Sequence, residues 1–109
     1  MHRQLEILNI LASEFYHSIG NNFDSAIFEY KFNKIGNWSV ISAYYIKDNK
    51  KLPPIKDNIY ENRIEKLCEE LHELMQNQTG GDWQKFILKI NEKKEVETEF
   101  SYEPQTIID

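Results

Sequence analysis

Residues 26–46 read AIFEYKFNKIGNWSVISAYYI, and this stretch decides the fold. In its first part Ala26, Phe28, Tyr30 and Phe32 are apolar, whereas Glu29 and Lys31 face the other way. That alternation is the mark of a strand with one buried face. Residues 33–37, NKIGN, read as a five-residue hairpin loop containing glycine. The return strand, residues 38–46, carries Trp38, Val40, Ile41, Tyr44, Tyr45 and Ile46 on both faces. It is expected at the centre of a sheet, or covered on its second side. Residues 48–51 and Pro53-Pro54 then make a polar connection unable to continue a helix or a central strand.

Upstream of this hairpin, Leu5, Leu8, Leu11, Phe15 and Ile19 recur at spacings of three or four, which stacks them on one face of a helix. Gly20-Asn21-Asn22 supplies its stop, since Gly and Asn tolerate the left-handed conformation of a C-cap. Downstream, Asn58 with Glu61 three residues later has the spacing of a capping box. Ile64, Leu67, Cys68, Leu71, Leu74 and Met75 follow as one apolar stripe, and Gly80-Gly81 ends the segment after a frayed polar stretch. A second hairpin closes the chain. Phe86, Leu88 and Ile90 alternate on one side of the residue 91–94 turn, and Val96, Thr98, Phe100 and Tyr102 on the other. The order is α-β-β-α-β-β. It predicts an α+β fold, a mainly antiparallel four-stranded sheet from two hairpins with two helices packed on one face.

Length and charge bound what such a fold does. At 109 residues and 13.0 kDa the chain fits a single domain over 1–109, because two cores would fall near the lower size limit for independent folding. No run approaches the roughly 18 apolar residues of a membrane span, and the N-terminus lacks the apolar core of a secretory signal. The one cysteine, Cys68, excludes an internal disulfide framework, so the expected compartment is the cytoplasm, with no membrane partner. Residues 1–54 hold six bases and five acids, but residues 55–109 hold seven bases and thirteen acids. An acid surplus of this kind repels a phosphate backbone, which argues against direct nucleic-acid binding and leaves a basic protein as the better partner.

Enzyme chemistry finds little support. Cys68 and His72 lie four apart on one helix, yet a metal site needs three or four ligands and a reactive thiol needs cationic neighbours. Here the neighbours are Glu69 and Glu73, and Cys68 falls within the apolar stripe of an inert core cysteine. Gly80-Gly81-Asp82 lacks the spacing and the following Lys-Ser/Thr of a phosphate loop. The expectation is a non-enzyme without cofactor or metal. The aromatics Tyr30, Phe32, Trp38, Tyr44, Tyr45 and Trp83 read as sheet packing, since base-stacking platforms come with basic grooves.

What remains is a ladder of glutamates. Glu95, Glu97 and Glu99 project from one face of the last strand with Glu103 near its end, neighbours on that face being roughly 6–7 Å apart. Lys85 and Lys89 on the preceding strand are placed to neutralise part of it. A solvated sheet face with cross-strand pairs accounts for this pattern, and so does an acidic docking surface. Glu69, Glu70 and Glu73 on the second helix form the other acidic candidate.

The aromatic hairpin (Phe28 to Phe32, Trp38, Tyr44-Tyr45), the acidic leucine-spaced helix over residues 65–75, and DWQKF at 82–86 leading into VETEFSY at 96–102 together resemble the YezG-like family of bacterial immunity proteins and antitoxins. The tryptophan-started strand and the terminal EFSYE strand carry most of the likeness, which spans roughly residues 5–103. The resemblance implies an immunity protein that binds a cognate toxin one to one as a monomer, the toxin commonly being a nuclease domain of a secretion or contact-dependent inhibition system. It fixes no binding residue. A secretion chaperone or adaptor holding an effector segment is the alternative, equally small, acidic and α+β.

Overall fold

The computed structural model describes residues 2–106. Helix α1 spans His2–Ile19, and the first hairpin is β1, Ser25–Asn33, with β2, Trp38–Lys47. A short strand β3, Lys50–Leu52, comes next, then a 3-10 turn over Asp57–Tyr60 and helix α2, Asn62–Thr79. Strands β4, Lys85–Ile90, and β5, Val96–Ser101, complete an antiparallel five-stranded sheet of order β3-β2-β1-β4-β5. The α+β architecture expected from the hairpin patterning is the one observed. Strand β1 lies at its centre and joins the two hairpins, with Phe28 opposite Leu88 and Tyr30 opposite Phe86.

The fifth strand is the departure from expectation. Asp48 and Asn49 both take positive φ, 52° and 63°, which makes the two-residue turn that suits the twist of paired strands. Lys47 therefore pairs with Lys50, and Tyr45 with Leu52. The polar residues 48–51 are no barrier here because β3 is an edge strand, where charged side chains reach water. The first loop is shorter than expected, since Asn33 and Trp38 still pair. Its Asn33 Oδ1 accepts a hydrogen bond from the Gly36 N–H at 2.9 Å. A Cβ on Gly36 would sit 2.8 Å from the Trp38 ring, so glycine is what lets the indole lie against the turn.

Both helices cover the sheet face that carries Ala26, Phe28, Tyr30, Phe32, Phe86, Leu88 and Ile90, all buried. Phe15 of α1 meets Phe28 at a ring distance of 5.9 Å. The stripe on α1 runs Ile7, Leu11, Phe15, Ile19, with Leu8 packed at its margin. Leu5, expected in the core, is 61% exposed while Ile7 is fully buried. At 100° per residue Leu5 lies well round the helix from the centre of that stripe. Ser18 is buried without cost because its Oγ donates to the Phe15 carbonyl at 2.6 Å, and its own carbonyl accepts from Ile55 and Lys56 N–H.

The start of α2 also differs. Asn58 lies in the 3-10 turn, and the cap position is held by Glu61, which makes no side-chain capping bond. Ile59, fully buried, draws that turn down against the core. Asn58 Nδ2 instead donates to the Glu14 carboxylate at 2.9 Å, which also pairs with Arg63 at 2.9 Å. The far end follows expectation: Gly80 at φ 76° closes the helix, its N–H bonding to the Gln76 carbonyl, although the helix stays regular through Thr79 rather than fraying.

Replacing Ile7 by Ala should cost about 2–5 kcal/mol, whereas Leu5→Ala should stay within about 0.5 kcal/mol in urea unfolding. Equal effects would mean that α1 is rotated from this position. Hydrogen bonds from Arg63 first, then Asn58, hold the Glu14 carboxyl below its ordinary 4.5. Its contribution is therefore complete above that value and lost as pH falls through the lower folded value. Wild type should exceed Glu14→Gln in stability at neutral pH, and the two should converge in acid.

Candidate functional site

The end of the β1–β2 hairpin stands away from α2 and leaves a groove of about 480 Å³ between them. Tyr30 and Phe32 form its floor and half-exposed Trp38 one wall. Glu65, Glu69 and Glu73 form the opposite wall, a spacing of four that keeps all three on one side of α2. Ser39 Oγ donates to Glu65 at 3.0 Å. Neither Glu69 nor Glu73 has an ion-pair partner within 4 Å among the described residues, so their charge stands open along the rim.

His72 lies at the inner edge of this groove, buried between two rings. Its centroid is 4.8 Å from that of Phe32 and 5.0 Å from that of Trp83, both edge to face. Its Nε2 lies 2.6 Å from Asp82 Oδ1, which fixes the ring. The imidazole thus turns to Asp82, just past the helix end, and not to Cys68. Burial, followed by the charges of Glu65 and Glu69, pushes the Cys68 thiol well above its ordinary range. Burial also raises the Tyr30 phenol, helped by Cys68, Glu69 and Glu65. Both groups keep their protons at neutral pH, so the groove holds neither thiolate nor phenolate for nucleophilic work.

The three α2 glutamates singled out from the sequence do not form one surface. Glu69 and Glu73 line the groove, but Glu70 turns toward α1. There Arg3 grips it with two bonds, Nε to Oε2 at 2.6 Å and Nη2 to Oε1 at 2.9 Å. That grip lowers the Glu70 carboxyl and ties the two helices together. The ladder on β5 lies on the other side of the sheet, away from the helices. Glu97 and Glu99 are exposed there, opposite Lys89 and Ile87. Lys89 reaches diagonally to Glu99 at 3.1 Å, and Lys85 lies 3.9 Å from Glu29 on β1. Glu97 is left without an ion-pair partner within 4 Å among the described residues. Glu95 precedes the strand and accepts from Asn91 Nδ2 at 3.2 Å, while Glu103 lies beyond its end.

Among the described residues, no three His, Cys, Asp or Glu side chains gather as metal ligands would, and no helix is long and apolar enough to cross a membrane. Compared with known proteins, the chain matches no family model and no curated protein. Deep burial predicts that Cys68 reacts with an aromatic disulfide reagent only as fast as the chain opens. Rapid labelling of the folded protein would show that the α2 stripe does not seal it.

Proposed function

We propose that this chain is an inhibitory binding protein of the immunity type, acting in the cytoplasm on a basic toxin domain, a nuclease. The observation that carries the reading is the groove, where Glu69 and Glu73 stand uncompensated above a floor of Tyr30 and Phe32. A lysine or arginine head entering it gains two carboxylates and an aromatic face at once. Nucleases present such side chains around the path of their substrate, so an acidic protein seated there competes for phosphate-binding charge. The net charge of −5 favours fast encounter with such a partner.

A second reading, a chaperone for a secreted segment, draws on the sheet face opposite the helices. There Ile27, Tyr44 and Ile87 are half-buried around a depression of about 880 Å³. Apolar surface of this kind suits an extended segment.

One experiment separates the two. The chain is mixed with the toxin domain encoded by the adjacent reading frame, and residual toxin activity is titrated. Stoichiometric loss of activity is expected, with Glu69→Lys/Glu73→Lys weakening inhibition about tenfold or more, most at low salt. Inhibition indifferent to both reversals would remove the groove from the interface. A product held unfolded in the complex, with activity regained on release, would favour the chaperone.

A further inference from the structure

Strand β5 is the outer strand of the sheet, and the phase of its ladder can be read from the turn before it. The Asn91 N–H bonds to the Glu95 carbonyl at 3.0 Å, in register with the pairing of β4 and β5. Bonded pairs alternate along an antiparallel ladder. Glu97 and Glu99 therefore bond inward, to Lys89 and Ile87, and the N–H and C=O groups of Val96, Thr98 and Phe100 turn outward. The other side of β4 agrees, because Phe32 N–H bonds to the Gln84 carbonyl and so aims Phe86, Leu88 and Ile90 at β1. Along the outer edge no described residue takes up those groups.

Sheet edges are usually blunted by brevity, by proline, by a bulge or by cover from a helix. β5 is six residues long, has no proline, and pairs with β4 in unbroken register. The helices do not reach its first half: Thr98 points to their side yet is exposed, and Val96 is 50% exposed. Among the described residues charge alone guards this edge, and charge selects a partner. In an added antiparallel strand, residues opposite Glu97 and Glu99 would occupy the non-bonded pairs, where side chains approach most closely. A second copy of this strand would set Glu against Glu in every in-phase register, which is repulsive. A strand with Lys or Arg at alternate positions would set base against acid in the same places.

We propose that β5 receives an extended strand of a partner protein, carrying Lys or Arg at alternate positions, by antiparallel addition to the sheet. The proposal deepens the reading as an inhibitor of a basic partner and rests on it for the partner's charge. Outward backbone groups of Val96, Thr98 and Phe100 supply the bonds, and Glu97 and Glu99 select the sequence.

The test uses the full chain and a capped peptide, Thr-Lys-Val-Lys-Thr-Lys-Val, followed by amide NMR. Saturable shifts are expected at Val96, Thr98 and Phe100, with slowed hydrogen exchange of those three amides. A copy of the peptide N-methylated at its Thr and Val residues keeps the charge and loses the bonds. It should bind about tenfold more weakly or worse, at about 1 kcal/mol per hydrogen bond. Glu97→Lys/Glu99→Lys should weaken the parent peptide similarly. Thr98→Pro removes only an outward N–H, a substitution that edge strands tolerate, and it should fold while losing the peptide. Equal binding of the two peptides, shifts centred on the groove, or no saturation would each overturn strand addition. A toxin complex that forms without protecting β5 would overturn it too, and would leave the inhibitory reading standing.

Discussion

Trp83 is the side chain that the arrangement of the other elements depends on. It stands fully buried at the entry to β4, with ring centroids of Tyr30, Phe32, His72, Phe86 and Phe100 between 5.0 and 6.3 Å away. One indole thus touches β1, β4, β5 and α2. Among the described residues its Nε1 has no hydrogen-bond partner, a cost of about 1–3 kcal/mol. Losing a buried aromatic of this size costs about 3–5 kcal/mol, so packing outweighs that cost. Its edge contact with His72 joins this cluster to the groove, which His72 helps to line.

Most of the architecture was legible because it follows from short-range pattern. The alternation at Phe28, Tyr30 and Phe32 and the stripe at Ile64, Cys68 and Leu71 each have one physical solution once a core must be buried. What escaped reading depends on partners distant in the chain. Asn58 has the right identity and spacing for a cap, but Glu14, 44 residues earlier, offers its amide a better acceptor. The same holds for Glu70, whose neighbours in sequence are acidic and whose partner is Arg3. Strand β3 differs from the pattern for a local reason: two consecutive residues tolerant of positive φ, Asp48 and Asn49, form a tight turn where polarity alone predicts a loop.

The groove was half legible. Glu65, Glu69 and Glu73 lie on one helical face by their spacing, and Tyr30, Phe32 and Trp38 read as packing aromatics. That the two groups face each other depends on β1 pairing with β4, which no periodicity encodes. The His72–Asp82 contact had no signal at all, since it requires Gly80 to reverse the chain at the end of α2. The open charge is thereby divided between two faces, Glu69 and Glu73 beside the helices and Glu97 behind the sheet. A folded domain and an extended strand could occupy them together without sharing a residue.

The central place of β1 also governs the order in which the chain can assemble. Its pairing with β2 closes over four residues, 34–37, and can form early. Its pairing with β4 must close the whole of residues 34–84, a loop whose entropy only the completed core repays. During synthesis the first hairpin therefore waits, with Phe28 and Tyr30 uncovered, until the ribosome has released β4. The seam between β1 and β4 is the last to be sewn and the natural barrier to folding.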